Sequence, residues 1–186
     1  VGVTRFCVEP AGLRQRCTVV GGTKDVAIDK IAALDPDLIV ANKEENDPAT
    51  IASFAPITLP PVPTPVVTRN FVFGRSNGAW TVNGKLIDCN QVRFTMKRGR
   101  PEKWIYQTGG GWGHPVHNHF VEGRIVKRNG VVIGPTSQEY SRKDVVPMYP
   151  GDTVEYIVTA TDYVGVYPMH CHNIVHEDAG MMLIFK

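Results

Sequence analysis

All six histidines of this chain fall in two short runs. One is His114-Pro115-Val116-His117-Asn118-His119. The other is His170-Cys171-His172, followed by His176 and by Met181-Met182. This spacing constrains the fold more than any other feature of the chain. Side chains of a strand alternate between its two faces. On a strand through residues 169–173, His170 and His172 share one face while Cys171 points to the other. His117 and His119 share a face in the same way. His114 stands an odd number of residues before them and points oppositely if the strand continues through Pro115. Two sets of side chains then gather. One holds Cys171, His114, His176 and a methionine. The other holds His117, His119, His170 and His172.

Two imidazoles, one thiolate and one thioether make the donor set of a blue-copper centre, where the methionine is a weak, long axial ligand. His176 follows Cys171 by five residues, and Met181 follows His176 by five. A loop after the strand, eased by Gly180, can return both side chains to one ion. Spacing favours Met181 as the axial ligand, with Met182 as second choice. The all-imidazole set suits a copper that binds oxygen or another small ligand. Because Cys171 has a histidine on either side, the backbone joins the two sites directly. A structural zinc site also takes Cys and His, but it closes on four ligands in a tetrahedron and has no use for methionine. Histidines merely satisfied in a core would not cluster with this parity. Met182 with Leu183-Ile184-Phe185 also reads as the last apolar strand.

These runs resemble the copper motifs of the multicopper oxidases, the laccase-like family, and match its C-terminal cupredoxin domain over residues 66–186. The resemblance implies that His114, Cys171, His176 and Met181 bind type 1 copper. It implies that His117 binds type 2 copper and that His119, His170 and His172 bind the type 3 pair. The implied activity is that of a laccase-type copper oxidoreductase. Single electrons would come from phenols, aromatic amines or a metal ion at the surface near His176. Cys171 would pass them to the second set, where O2 is reduced. Small-molecule electron donors and O2 are thus the expected partners.

In the family, the trinuclear cluster takes four His-X-His pairs, two of them from an N-terminal cupredoxin domain. This chain carries two pairs, His117/His119 and His170/His172, and no histidine before His114. Three arrangements answer the shortfall. The chain is the C-terminal part of a longer oxidase, or it is a homo-oligomer whose copies share copper, or it keeps a type 1 copper beside an incomplete second site. The rival functions are a blue-copper electron carrier without oxidase turnover and a protein that stores or relays copper. Glu177 or Asp178 is a candidate for orienting a substrate or tuning His176, with a plain solvated acidic pair as the alternative. Asp144 is a candidate partner for a ligand imidazole.

From Val66 onward, the chain reads as short strands with regular turn signals. The strands are Val66 to Phe73, Trp80 to Val82, Val92 to Met96, Lys103 to Gln107, Phe120 to Lys127 and Val154 to Ala160. Turns fall at Gly74 to Gly78, Asn83-Gly84, Asn129-Gly130 and Pro150-Gly151-Asp152. The pattern predicts a Greek-key β-sandwich. The resemblance makes it a cupredoxin, so the expected class is mainly β with a small N-terminal α/β appendage. The glycines from Gly109 to Gly113 let the backbone lie close to the metal cluster. Ala55 to Pro65 holds five prolines in eleven residues, an extended spacer. The expected division is a partial α/β segment at 1–57, a linker at 58–65 and a cupredoxin domain at 66–186.

Residues 1–57 alternate strands with helices. Val1 to Thr4, Cys17 to Val20 and Asp37 to Ala41 read as strands. Val26 to Leu34 reads as a helix ended by Pro36, and Glu44 to Phe54 as a second helix. The runs Gly2 to Pro10, Val20 to Lys24 and Ile31 to Asn46 resemble part of a periplasmic substrate-binding protein of the helical-backbone metal-receptor type. That family carries metal chelates to an ABC transporter, and it needs two lobes around a cleft. A segment this short cannot build them, which leaves a packing appendage, a fusion remnant or an assembly artefact of the gene.

A net charge of +2 and one short basic run, Lys97-Arg98-Gly99-Arg100, give no nucleic-acid footprint. No apolar run reaches the length of a transmembrane helix. Neither nucleic acid nor a membrane is an expected partner. With Cys171 given to a metal, at most one disulfide can form among Cys7, Cys17 and Cys89. Cys7 with Cys17 is the nearest pair, and free thiols are the alternative. The chain opens on Val1 with no leader pattern, which reads as a mature, trimmed or engineered chain and leaves room for an export signal already removed. The expected location is periplasmic or secreted.

Overall fold

The computed structural model describes residues 2–5, 7, 11–36, 39, 59–109 and 111–186. The chain divides into two units, Val1–Thr58 and Leu59–Lys186. In the first, β1 (Gly2–Val3) and β2 (Thr18–Val19) pair in parallel. The single turn α1 (Leu13–Arg16) lies between them, and α2 (Ile28–Ala32) follows. The expected strand at 37–41 (Ile39 apart) and the expected helix at 44–54 lie outside the described residues, as do residues 55–58 of the proline-rich stretch. All four cysteines are free, so the free-thiol alternative holds.

The second unit is the cupredoxin sandwich. Its strands are β3 (Val67–Ser76), β4 (Ala79–Val82), β5 (Val92–Phe94), β6 (Glu102–Thr108), β7 (Val116–Asn118) and β8 (Gly123–Arg128). They continue with β9 (Val131–Val132), β10 (Val145–Val146), β11 (Thr153–Val158), β12 (Tyr167–Cys171) and β13 (Met182–Phe185). One sheet has six strands in the order β4-β3-β6-β11-β8-β9, and the other has five in the order β10-β7-β12-β13-β5. The pairs β3 with β6 and β5 with β13 are parallel, and the rest are antiparallel. Strands distant in sequence thus lie side by side, as a Greek key requires.

Alternation along the strands makes the core. In β6, Glu102, Trp104 and Tyr106 are buried between partly covered neighbours. Trp104 lies opposite Tyr156 of β11, and Tyr106 opposite Val154. Phe71, Phe73 and Phe185 complete a wall of large rings, each worth roughly 150–250 Å² of buried surface. The buried Glu102 carboxylate accepts from Arg69 Nε at 2.6 Å and from the Trp104 indole N–H at 2.9 Å. Left alone, such a charge would cost several kcal/mol.

Several boundaries differ from the sequence expectation. β3 runs through Gly74, so its turn shrinks to Asn77-Gly78, both at positive φ (51° and 81°), as a two-residue hairpin demands. Phe120 does not start a strand. Its φ of 60° turns the chain, and β8 begins at Gly123. The strand holding Cys171 stops at that residue instead of reaching Asn173. Asn173 caps a helix, α3 (Ile174–Asp178), its Oδ1 accepting from the Val175 N–H at 3.1 Å. No helix among the described residues is long and apolar enough to cross a membrane.

Candidate metal centre

β12 lies between β7 and β13, and its register positions the site. His170 is opposite His117, and Cys171 is opposite Val116. Directly opposed residues share a face. His170 and His117 therefore project together. Cys171 projects to the other side with Val116 and, two residues earlier, His114. Pro115 does not break this parity: the His172 N–H donates to its carbonyl at 2.6 Å, one residue beyond the strand. The His114 N–H donates to the Met148 carbonyl at 2.9 Å. Gly113 permits that approach, because a Cβ there would lie 3.1 Å from the same oxygen. On the far side of β12, His170 is opposite Met182. Met182 thus takes the His170 face, and the fully buried Met181 falls on the Cys171 side. The Cys171 N–H donates to the Met181 carbonyl at 3.1 Å, and the Met181 N–H to the His176 carbonyl at 3.0 Å. The return from Cys171 is α3 rather than a loop, and the helix turns His176 inward to 2% exposure.

Cys171 Sγ lies 3.5 Å from His114 Nδ1 and 3.5 Å from His176 Nδ1, and those two nitrogens are 3.1 Å apart. All three side chains are buried. A point equidistant from the three atoms lies roughly 2 Å from each, the length of a metal–imidazole bond. Three soft or borderline donors aimed at one point fit a copper ion. Burial, with His176 beside it, lowers His114 to about 4. Burial also lowers His176 and raises the Cys171 thiol to about 11. At neutral pH both imidazoles are neutral donors, and the thiol keeps its proton until a cation displaces it. Trp80 stacks on His176, and the half-exposed Trp112 stands edge-on to both rings. His176 itself is therefore buried beneath Trp80. Trp112, at 52% exposure, lies outside it.

The other face gathers four imidazoles. The rings of His117 and His119 are 4.6 Å apart, His119 and His170 5.2 Å, His117 and His172 5.4 Å. His119 Nε2 faces His170 Nε2 at 3.1 Å. His170 Nδ1 lies 3.2 Å from the Cys171 carbonyl and 3.3 Å from Glu177 Oε2. His117 Nδ1 lies 3.2 Å from the Asp144 carbonyl, and His172 Nδ1 lies 3.6 Å from Glu177 Oε2. An Nδ1–H given to these oxygens leaves Nε2 free for a metal. The thiolate centre thus offers Nδ1 atoms, and the imidazole centre offers Nε2. Burial and the neighbouring imidazoles lower His119, and burial lowers His170.

His114, Cys171 and His176 come together in one group and His117, His119, His170 and His172 in the other, while Met181 is buried on the Cys171 side. Glu177, a candidate for orienting a substrate or tuning His176, sits against His170 and His172, and Asp178 is exposed, as in the solvated alternative. Asp144 meets His117 mainly through its backbone. Sequence reasoning missed Trp80 and Trp112. It also missed Tyr106, whose hydroxyl donates to Asn118 Oδ1 at 2.9 Å and pins the residue between His117 and His119. None of these carries a local signal, since each contact joins different elements of the fold.

A family model described as multicopper oxidase matches residues 59–186. A bilirubin oxidase from Albifimbria verrucaria is 36% identical over 131 residues, which are 68% of this chain and 23% of that protein. A laccase from Haloferax volcanii is 34% identical over 156 residues, 75% of this chain and 27% of that protein. Among solved structures, a laccase from Pediococcus acidilactici Pa5930 superposes with a TM-score of 0.64 at 26% identity, over 70% of this chain and 29% of that one. The chain spans about a quarter of the length of these relatives.

Proposed function

The chain belongs to the multicopper oxidase family, and from that premise we propose a laccase-type function. Single electrons pass from small-molecule donors to the Cys171 centre and on to O2 at the imidazole centre. His114, Cys171 and His176 would hold type 1 copper, with Met181 as a further donor. His117 serves type 2 copper, and His119, His170 and His172 serve the type 3 pair. The supporting observation is the donor triangle of Cys171, His114 and His176, built on a residue whose two chain neighbours enter the imidazole cluster. Copper, when bound, supplies reversible one-electron chemistry at the first centre and oxygen reduction at the second.

The chain's own residues set the conditions. Cys171 releases its thiol proton on metallation, and its two peptide units then link the centres covalently. His114 and His176, already neutral, offer Nδ1 without losing a proton. Glu177 Oε2 accepts the Nδ1–H of His170 and so directs its Nε2 toward His119. Trp80 and Trp112 pack against the His176 ring.

Two His-X-His pairs make half of the family's set. The remaining imidazoles come from a second histidine-bearing unit, either another copy of this chain or another segment of a longer one. Copper per chain, visible colour, O2 uptake with a phenolic donor and sedimentation with and without copper test the reading together. An intense thiolate-to-copper band, more than one copper per chain and O2 uptake support it. A colourless protein holding zinc refutes it. A blue protein with one copper and no O2 uptake would be an electron carrier.

A further inference from the structure

Trp80 is no ligand, yet it touches both imidazoles of the thiolate centre. Its indole lies face to face with His176, centroids 3.8 Å and planes 29° apart, and edge-on to His114 at 5.7 Å. A metal-bound imidazole is ordinarily oriented by a hydrogen bond from its second ring nitrogen. Among the described residues no such bond is seen. His114 Nε2 is buried without a partner, and among the described residues no hydrogen bond reaches His176 Nε2. Ring contacts are left to set the two planes.

The indole is itself firmly held. The β3–β4 hairpin turns in two residues, and Trp80 pairs directly with Arg75. The Arg75 guanidinium carbon lies 5.0 Å from the indole centroid, and its Nη2 donates to the Gly78 carbonyl at 2.8 Å. Trp112 closes against the indole edge-on at 5.5 Å.

We infer that Trp80 is the positioning residue of the thiolate centre. It holds the His176 and His114 rings in the planes that turn both Nδ1 atoms toward Cys171 Sγ, the task a hydrogen-bonding carboxylate or carbonyl performs at other metal sites. The inference rests on the copper reading of that centre.

The test loads the full chain with Cu(II). It compares wild type, Trp80→Phe and Trp80→Leu by chelator competition, visible spectrum and electron paramagnetic resonance. Trp80→Leu keeps apolar bulk and loses the flat face. Its copper affinity at Cys171 is expected to fall about 10–100-fold, the usual effect of losing a residue that orients a ligand. Its charge-transfer band and copper hyperfine splitting change as well, while Trp80→Phe recovers most of both. Thermal unfolding of the metal-free proteins reports the fold. Should Trp80→Leu not fold, Trp80→Met carries the same non-aromatic comparison. A Leu or Met variant with affinity within about twofold of wild type and an unchanged spectrum overturns the inference. Equal losses in the Phe and non-aromatic variants overturn it too, because Trp80 would then be mere filler. A wild-type chain with no thiolate-to-copper band would instead sink the function proposed above.

Discussion

Metal affinity at the Cys171 centre should rise about tenfold per pH unit between roughly pH 6.5 and 8.5. The cause lies in the metal-free site. Burial raises the Cys171 thiol to about 11. Across this window the thiol is almost wholly protonated, so each ion must displace one proton. Burial and the neighbouring His176 hold His114 down to about 4, and burial lowers His176. His114 is therefore neutral throughout the window and releases nothing, and the lowering of His176 favours its neutral form in the same way. A raised thiol pKa disfavours the thiolate, so affinity is lost as pH falls. Over two units the change is about 100-fold, or about 2.7 kcal/mol. The assay is a Co(II) titration of the metal-free chain in a chelator buffer corrected for its own protonation. The thiolate-to-cobalt band in the near ultraviolet reports Cys171, because the imidazole centre has no sulfur donor. A pH-independent affinity would mean a preformed thiolate. A slope of two or three tenfold steps per unit would mean that the imidazoles start protonated. Either result refutes the argument.

Replacing His117 and His119 together by Ala should leave that cobalt band intact and weaken metal binding at the imidazole centre by about 10–100-fold or more, read as metal per chain. Asp152→Asn should cost about 1–3 kcal/mol in urea unfolding at neutral pH. The buried carboxylate accepts from the Tyr149 N–H at 2.9 Å and Asn129 Nδ2 at 2.8 Å and pairs with Arg128, which in the variant keeps the Glu139 carboxylate and the Pro147 carbonyl. Burial alone would raise the Asp152 pKa, but these partners outweigh it and lower it. Its contribution is therefore full above the unfolded carboxylate value of about 4 and is lost as pH falls through the lower folded value. The gap between wild type and variant should close in acid. Gly123→Ala should lower the thermal midpoint at a cost of about 1–3 kcal/mol, because the new Cβ would lie 2.3 Å from the Ile157 carbonyl and 2.5 Å from Tyr156 Cζ.

Strand parity made most of the site legible in the sequence. Alternation is rigid, so the opposite faces of Cys171 and His170, and the place of His114, could be read before any fold was known. The helix after Cys171 was half legible. Asn173 before Ile174-Val175 is a capping signal, but a five-residue interval fits a loop as well as a helical turn. Trp80 stayed hidden because its contact with His176 joins β4 to α3, far apart in sequence and unmarked by any period. The choice of Nδ1 at one centre and Nε2 at the other was equally hidden. It depends on where the Cys171 and Asp144 carbonyls and the Glu177 carboxylate stand once the sheet has formed. The positive φ of Phe120 is a backbone state that a bulky ring gives no reason to expect.

Parity also makes the register of one strand a functional quantity. β12 carries a ligand of the thiolate centre between two ligands of the imidazole centre, so a one-residue slip would exchange the faces. Cys171 would turn into the imidazole cluster, and His170 would turn toward His114 and His176. Neither centre would keep its donor set. The slip is opposed from both sides: β7 matches Met169 with Asn118 and His170 with His117, and β13 matches Met169 with Leu183 and His170 with Met182. The buried Met169 would also be carried out of the core and away from Leu183. The same apolar packing that stabilises the five-stranded sheet thus keeps sulfur and imidazole on their separate faces. A core substitution such as Leu183→Ala should therefore broaden the thiolate-to-metal band as well as lower stability, whereas a surface change of equal cost on β9 should affect stability alone.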